Sequence, residues 1–384
     1  MLTQIVNGDI CTPDGWLHGG SITIEGTRIV DILPVSRIVE YDGKVIDAKG
    51  MYVVPGAIDM HVHGGGGADF MEGTEDAFRK AVAAHLRHGT TGIFPTLASS
   101  SVDMILSGDA ACSRLMEDKY SPVLGLHLEG HYLNKRKAGG QMPQYIKNPD
   151  VDEYVGIISN CRCIKRWDAA PELPGAGDFA RYVSERGILA GIAHTEADYN
   201  MLRTARSAGF RHVTHFYNGM TMVHNDREYK HEGTVEGVYL IDDMTVELIG
   251  DGIHVPPAIV QLVLKIKGCE RTAFVTDGMA CSANNGIGAA FDPRVIIEDG
   301  VCKLSDRSAL AGSIATMDGI IKTMVTKVGI PLADVMRMVA ETPARIMGVL
   351  DRKGTLERGK DADILLLDRN IELKSVISMG HMLV

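Results

Sequence analysis

The chain has 384 residues, of which 45% are hydrophobic and 23% charged, and its formal net charge is −10. This composition is that of a globular protein with one large domain or two. Because basic residues are scattered through an acidic chain, neither nucleic acid nor a membrane surface is an expected partner. No signal-peptide pattern begins the sequence, and no apolar run approaches the roughly 20 residues that span a bilayer. With seven dispersed cysteines, reduced thiols and a cytoplasmic location are expected.

Both ends of the chain have the residue pattern of short β-strands. Near the start, β-forming residues run through "SITIEGTRIVDILP", which Gly26 interrupts and Pro34 ends. The same character returns near the end, in "GTLERGKDADILLLD" and "SVISMGHMLV". We predict that residues 1–52 and 349–384 pair as one small β-sandwich domain, and that residues 53–348 form a larger domain between them.

The central segment alternates short β-branched runs with candidate helices. One such helix is "EDAFRKAVAAHLRHG", whose apolar residues recur every three or four positions. Strands that alternate with helices indicate a parallel sheet of the α/β class, and eight strands indicate a closed (β/α)8 barrel of the TIM type. The eight runs are "YVVPGAID", "TTGIFPT", "PVLGLHLEG", "CRCIKRWDAAPE", "ILAGIAHTE", "RHVTHFYN", "TVELIGDGIH" and "TAFVTDG".

Residues that can bind a metal or move a proton stand at the ends of several runs. In a (β/α)8 barrel the carboxyl ends of all strands open on one face, so these residues are expected to converge there. They are His61 and His63 at the first run, Glu129 at the third, His194 at the fifth, His215 at the sixth, Asp251 and His254 at the seventh, and Asp277 at the eighth.

The pair His61 and His63 gives a geometric argument for a metal site. Residues two apart on a strand point the same way, so both imidazoles would face the barrel mouth. Imidazole and carboxylate ligands suit divalent ions of the zinc, iron, manganese or cobalt class. We predict one or two such ions, the first bound by His61, His63 and Glu129. The second would be bound by Glu129, His194 and His215, and both would keep positions open for water.

Two aspartates have expected roles beside these ligands. Asp277 is the expected general base, because a carboxylate beside a metal can take a proton from water and return it to a leaving nitrogen. A further metal ligand and a helix cap are the alternatives for Asp277. Asp59 would orient a ligand without binding the ion itself.

Several short motifs together resemble a known family. In their order and spacing they are similar to the amidohydrolase superfamily and, within it, to the N-acetylglucosamine-6-phosphate deacetylase family. The resemblance implies a barrel with a two-part β-domain, a homodimer, and hydrolysis of an acetamide to acetate and an amino-sugar phosphate. The motifs are "VVPGAIDMHVHG", "GLHLEGHYLN", "IAHTEA", "VTHFYNGM", "DGIHV", "VTDGMA", "LAGS" and "TPARIMGVLDRKGTLERGKDADILLLD".

The resemblance also implies roles for individual residues. Glu129, His194 and His215 match the common metal ligands of the family, and Asp277 matches its catalytic aspartate. A metal-activated water would attack the acetamide, and Asp277 would move its proton to the amine. Arg227 matches an arginine that binds the phosphate of the substrate. The other residues that match substrate contacts are Gly140, Gln141, Asn218, Gly219, His254, Leu310, Ala311 and Gly312.

The chain departs from the family pattern around the substrate. It has "REYKHEG" where the family usually has Arg-Glu-Pro-Gly, which adds Tyr229, Lys230 and His231. His131 stands in place of a proline, and Gln141 aligns with a histidine that typically reaches the sugar of the neighbouring subunit. The metal and base positions are intact, so the resemblance supports the chemistry more directly than the sugar.

Two alternatives stay open on the sequence. One is another amidohydrolase, acting on a cyclic amide or deaminating a ring. A cyclic amidohydrolase would want a bridging carboxylated lysine at the fourth strand end, where Lys165 is the only candidate. Glu129 already supplies a bridge, which argues against this alternative. The other alternative is a metal-binding relative without activity, but the expected base and ligands are all present.

Overall fold

The computed structural model describes residues 2–37, 42–284 and 292–383. Within those ranges, two eight-stranded sheets form the framework, and the smaller sheets are three two-stranded hairpins. One large sheet is a parallel barrel surrounded by helices, and the other joins the two ends of the chain. In the same ranges, every helix is too short or too polar to cross a bilayer.

The barrel contains eight parallel strands in chain order, each paired with the next. It closes where Val62 pairs with Gly278 and where the Asp277 amide donates to the His61 carbonyl at 2.9 Å. The predicted (β/α)8 barrel is therefore confirmed. Its first to eighth strands are Ala57–Val62, Thr90–Leu97, Leu126–Tyr132, Ile164–Ala169, Leu189–Ile192, His212–Val213, Thr245–Ile249 and Thr272–Val275.

An α-helix follows each barrel strand, and two more follow the last. The eight helices are Glu75–Arg87, Val102–Met116, Val151–Asn160, Ala176–Ser184, Tyr199–Ala208, Thr234–Tyr239, Pro257–Lys267 and Met317–Thr323; the additional two are Leu332–Met336 and Thr342–Ile346. Short 3-10 segments are Val35–Arg37, Phe70–Glu72 and Lys135–Lys137, and π-helical segments are Met324–Val328 and Arg337–Glu341.

The helix Glu75–Arg87 illustrates how the outer layer forms. Thr74 caps its start, since the threonine hydroxyl accepts a hydrogen bond from the Ala77 amide at 3.3 Å. Phe78 and Val82 lie four residues apart on the same face and are buried in the core between helix and barrel. The apolar periodicity in the sequence therefore predicted both the helix and its buried face.

Strands from both chain ends form the second large sheet, as the sequence predicted. Tyr52–Pro55 pairs antiparallel with Ile364–Leu367 and parallel with part of Leu2–Thr12, which joins the two ends. This sheet has its own apolar core. The first predicted run, "YVVPGAID", contributes one strand to this sheet and the next to the barrel. Its strands are Leu2–Thr12, Gly15–Glu25, Arg28–Leu33, Gly43–Asp47, Tyr52–Pro55, Ile364–Leu367, Leu373–Ser378 and His381–Met382.

Three two-stranded hairpins complete the described strands. Gly64–Gly65 pairs with Ala68–Asp69 directly after the first barrel strand. The second hairpin joins His224–Asp226 to Tyr229–His231, and all its residues are exposed. The third joins Val295–Glu298 to Val301–Leu304 in the segment after the eighth barrel strand. We call the second of these the 224–231 hairpin.

Candidate metal centre

Four histidines and one glutamate converge at the carboxyl end of the barrel. Their ligand atoms form two groups that share Glu129, and the atoms in each group lie within 4.8 Å of one another. His61, His63 and Glu129 make the first group. Glu129, His194 and His215 make the second. The structure thus brings together all five side chains that the sequence predicted as metal ligands, in the two sets that it predicted.

Glu129 lies between the two groups and presents one oxygen to each. Its Oε1 is 2.9 Å from the Nε2 atoms of both His194 and His215. Its Oε2 is 3.1 Å from His63 Nε2 and 3.6 Å from His61 Nε2. Burial alone would raise the pKa of Glu129, but the surrounding histidines hold it well below its usual range. The side chain is therefore an ionised carboxylate with one oxygen facing each ligand group, an arrangement that would suit a metal ion in either group.

The Nδ1 contacts of His61 and His194 show that the Nε2 atoms of these two rings are available as ligands. His194 Nδ1 lies 2.6 Å from the Lys137 carbonyl, which can only accept, so this nitrogen carries a proton. His61 Nδ1 lies 2.7 Å from Glu247 Oε1 and is held in the same way. Partners of this kind orient metal-binding histidines in proteins and fix the tautomer that leaves Nε2 free.

The spacing of the Nε2 atoms fits a cation between them. The Nε2 atoms of His61 and His63 are 3.2 Å apart, as are those of His194 and His215. Two unprotonated imidazole nitrogens at this distance cannot hydrogen-bond to each other, so either protons or metal ions must lie among them. Burial lowers the pKa of His63, but Asp277 and Glu129 together raise it to about 9. A metal would therefore displace protons when it binds at neutral pH.

Unusual backbone conformations aim three of these side chains. His194, His215 and Asp277 have φ angles of 46°, 28° and 47°, in a region that residues other than glycine rarely adopt. Gly219 shares this conformation, with φ of 62°, and a Cβ there would lie 2.9 Å from His194 Nδ1. Strain of this kind collects at functional sites, where the surrounding fold stabilises it.

Asp277 lies beside the first group, on the wall of the cavity. Its Oδ1 is 3.2 Å from His63 Nε2 and 3.5 Å from His61 Nε2. Burial would raise the pKa of Asp277, but the two histidines lower it below its ordinary value, so the side chain is a carboxylate at neutral pH. Asp59 fixes Thr276, the residue before Asp277, since Asp59 Oδ2 accepts a hydrogen bond from the Thr276 hydroxyl at 2.5 Å.

A cavity of about 520 Å³ opens above the two groups. This volume lies within the range of small-molecule sites in proteins. All the expected substrate residues except Arg227 line it, together with His63, Glu129, His194, His215 and Asp277. These substrate residues are Gly140, Gln141, Asn218, Gly219, His254, Leu310, Ala311 and Gly312. Arg227 instead lies at the turn of the exposed 224–231 hairpin, outside the cavity of its own chain.

Two buried polar atoms of the cavity residues are available to a ligand. Neither Asn218 Nδ2 nor His254 Nε2 has a hydrogen-bond partner among the described residues. His254 Nδ1 lies 2.6 Å from Asp251 Oδ2, so this nitrogen carries a proton. A buried polar atom without a partner costs free energy, and a bound substrate would satisfy both atoms.

The residues that depart from the family pattern have separate structural roles. Gln141 Oε1 accepts from the Ser99 amide at 2.7 Å and so fixes one edge of the cavity. His131 Nε2 lies 2.8 Å from Glu153 Oε1 and does not line the cavity. Lys230 lies on the exposed 224–231 hairpin, where its Nζ donates to Asn225 Oδ1 at 3.0 Å.

Sequence reasoning missed two sets of charged residues. Arg136 and Lys137 line the cavity just after the third barrel strand, where the basic run "NKRK" was the available signal. Inside the barrel, below the ligands, lies a fully buried cluster of Arg166, Asp168, Glu247, His127 and His212. Lys165, which the alternative of a carboxylated lysine would need, is exposed and points away from the barrel interior.

Known proteins are similar to this chain along nearly its whole length. An N-acetylglucosamine-6-phosphate deacetylase of Lysinibacillus sphaericus is 29% identical over 385 residues, which cover 96% of this chain and 92% of the relative. An N-acetylgalactosamine-6-phosphate deacetylase of Escherichia coli O157:H7 is also 29% identical, and 97% of each chain is covered. The crystal structure of N-acetylglucosamine-6-phosphate deacetylase from Pasteurella multocida superposes with a TM-score of 0.92, at 28% identity and with 100% of both chains covered.

A family model covers most of the sequence. The model of the amidohydrolase family matches residues 52–383. This range includes the barrel, the strands of the second large sheet from Tyr52 onward, and every residue of the two ligand groups. The fold and the order of the motifs along the chain agree with this match. The chain therefore belongs to the amidohydrolase family.

Proposed function

We propose that the protein is a metal-dependent deacetylase that removes the acetyl group from an N-acetylhexosamine 6-phosphate, giving acetate and the amino-sugar phosphate. The observation that carries the proposal is the convergence of Asp277 and the two ligand groups at the base of one cavity. Full-length similarity to deacetylases of both N-acetylglucosamine 6-phosphate and N-acetylgalactosamine 6-phosphate supports it. Because those two relatives are equally similar, the proposal includes both sugars.

The two ligand groups would hold one or two divalent ions of the zinc, iron, manganese or cobalt class. An ion there would polarise the acetamide carbonyl and make a nearby water more acidic. Asp277 then accepts the proton of the attacking water, since it is ionised and lies 3.2 Å from His63 Nε2. It returns that proton to the departing nitrogen, so the amine leaves as a neutral group.

His254 has a role that depends on its protonation. Its Nδ1 donates to Asp251 Oδ2, so a neutral ring presents Nε2 to the substrate as an acceptor. In that form it would accept a hydrogen bond from a sugar hydroxyl. Only a doubly protonated ring could donate to the oxyanion that develops on the acetamide, a charge that Asp251 at 2.6 Å would balance.

The walls of the cavity suit an acetylated sugar. Met279, Val295, Leu304 and Leu310 line it and can surround the acetyl methyl group. Asn218 contributes an unpartnered amide for a sugar oxygen. A mixture of apolar wall and few polar groups is typical of sites that orient a small substrate.

Release of acetate from the purified, metal-loaded protein tests the proposal. We expect release from N-acetylglucosamine 6-phosphate or N-acetylgalactosamine 6-phosphate to exceed that from the unphosphorylated sugar about 10- to 100-fold in kcat/KM, since charge-assisted hydrogen bonds contribute about 1.5–3 kcal/mol. Ammonia in place of acetate would indicate a deaminase. Retained metal without turnover of any acylated amino sugar would support a relative that lost activity.

Arg227 is proposed as the phosphate ligand, acting from a second chain. Because it stands on the exposed 224–231 hairpin and does not line the cavity of its own chain, we propose that it contacts the substrate of the partner in the expected homodimer. We expect Arg227→Ala to lose most of the preference for the phosphorylated sugar. Lys230→Ala, which removes the same charge from the same hairpin, is the matched control and should keep that preference.

Mixed dimers test whether Arg227 acts from the partner. Chains with Arg227→Ala and chains with Asp277→Asn are co-expressed and the mixed dimer is isolated. If Arg227 acts across the interface, one of the two sites contains both intact residues and turnover of the phosphorylated sugar returns. Absence of recovery would place the arginine with its own chain or remove it from the site.

A further inference from the structure

A buried charge cluster inside the barrel lies directly below the candidate metal centre. Arg166 forms its middle and donates to two carboxylates. Its guanidinium lies 2.6 and 2.9 Å from Glu247 and 2.9 and 3.1 Å from Asp168. All three side chains are fully buried. Burying several charged side chains costs free energy unless each of them is paired and hydrogen-bonded. The hydrogen bonds of the cluster therefore hold its side chains in one arrangement.

The two carboxylates of the cluster differ in what they contact besides Arg166. Glu247 Oε1 lies 2.7 Å from His61 Nδ1 and accepts from the His215 amide at 3.2 Å. One oxygen therefore contacts a residue of each ligand group. Asp168 Oδ2 instead contacts His127 Nε2 at 2.8 Å and the Thr214 hydroxyl at 2.6 Å, and neither residue is a candidate ligand.

We propose that Glu247 is a positioning residue: it orients one histidine of each ligand group, and it keeps His61 Nε2 unprotonated and free to bind the metal. The inference rests on the proposed function only in taking the centre to bind metal. A carboxylate can only accept, so His61 must present a proton at Nδ1 and an unprotonated Nε2 to the ion. The hydrogen bond from the His215 amide fixes the backbone at this residue of the second group.

The charges in the cluster argue against a purely structural role for Glu247. Arg166 carries one positive charge, which Asp168 alone would balance. A second buried carboxylate adds a negative charge that destabilises the fold unless another positive charge compensates for it. Besides Arg166, the rings nearest to Glu247 are His61, 2.7 Å from Oε1, and His212, 3.1 Å from Oε2. Of these two only His61 is a candidate ligand, so a metal ion bound at its Nε2 would supply the compensating charge.

The test compares Glu247→Gln with Asp168→Asn. Each variant keeps the shape of the side chain and removes one of the two carboxylates that face Arg166. Zinc affinity is measured by competition with a chromogenic chelator, and the Tm of the metal-free protein is measured alongside. We expect Glu247→Gln to weaken zinc binding roughly 10- to 100-fold, the range seen when partners of metal-binding histidines are changed. Asp168→Asn should lower the Tm similarly but bind zinc nearly as the wild type does. Equal losses of affinity in the two variants would overturn the proposal.

A measurement on the wild-type protein keeps the proposal testable if Glu247→Gln does not fold. Histidines are labelled with ¹⁵N, and the His61 signals of the zinc-loaded protein are assigned by their loss in His61→Asn. We expect a proton on His61 Nδ1 and none on Nε2. A proton on Nε2 would contradict the proposal, because that nitrogen would then be unable to bind zinc.

Both readouts are independent of the substrate. If the wild-type protein releases no acetate yet binds zinc, and Glu247→Gln alone weakens that binding, the positioning role stands while the deacetylase proposal fails. If acetate is released but the two variants bind zinc equally, the deacetylase proposal stands and the positioning role fails.

Discussion

The Asp277→Asn variant is expected to lose about 100- to 10,000-fold in kcat, the range that a positioned general base contributes. An amide of the same shape cannot accept the proton of the attacking water or return it to the leaving nitrogen. Asp277 lies 3.2 Å from His63 Nε2 and 3.5 Å from His61 Nε2, but it belongs to neither ligand group. The variant should therefore retain its metal while losing turnover.

The measurement combines kcat on the phosphorylated sugar with metal content from elemental analysis. Asp292→Asn is the matched control, because Asp292 also lines the cavity as a carboxylate but pairs with Arg294. We expect kcat of the control to stay within about tenfold of the wild-type value, a much smaller loss than that expected on removal of a general base. If Asp277→Asn loses metal in proportion to activity, Asp277 is a metal ligand. Turnover near the wild-type rate would remove it from the mechanism.

The ligand positions could be predicted from the sequence because they depend only on strand order. Once eight β-branched runs indicate a barrel, the ends of the strands must converge on one face, whatever the details of packing. The structure brings His61, His63, Glu129, His194 and His215 together on that basis. Their metal-binding role itself stays a prediction until an ion is measured.

The buried cluster could not be predicted, because it depends on which way each strand residue faces. Lys165 and Arg166 are adjacent in "CRCIKRWDAAPE", and one of them must point outward. The sequence gives no local signal for the choice, since both are basic. In the structure Lys165 is exposed, while Arg166 is fully buried between Glu247 and Asp168.

Arg227 shows a different limit of sequence reasoning. A motif can align a residue with a phosphate ligand, but it does not say which chain of an oligomer provides the side chain. In the structure Arg227 stands on an exposed hairpin outside the cavity of its own chain, so the proposed phosphate contact would need a partner chain. The first predicted run, "YVVPGAID", is divided in the structure, because Gly56 separates the strand Tyr52–Pro55 of the other sheet from the barrel strand Ala57–Val62.

The Glu129→Gln variant is expected to lose metal from both groups at once. Glu129 presents Oε1 to His194 and His215 and Oε2 to His63, so both groups depend on its charge. A neutral amide provides one weak oxygen ligand and turns an N–H donor toward the other group. Since a metal contributes several kcal/mol of stabilisation to the transition state, kcat/KM should fall about 1,000-fold or more.

A single-group variant separates bridging from general damage to the site. His63→Asn removes a ligand of the first group and contacts neither His194 nor His215 through its ring nitrogens. Elemental analysis should find the ion of the second group retained in His63→Asn and both ions lost in Glu129→Gln, while the two metal-free proteins unfold at similar temperatures. If Glu129→Gln keeps as much metal as His63→Asn, the carboxylate does not bridge, and the two groups bind independently. If His63→Asn empties both groups, the second group cannot hold an ion without the first, and the order in which the ions bind follows from that dependence.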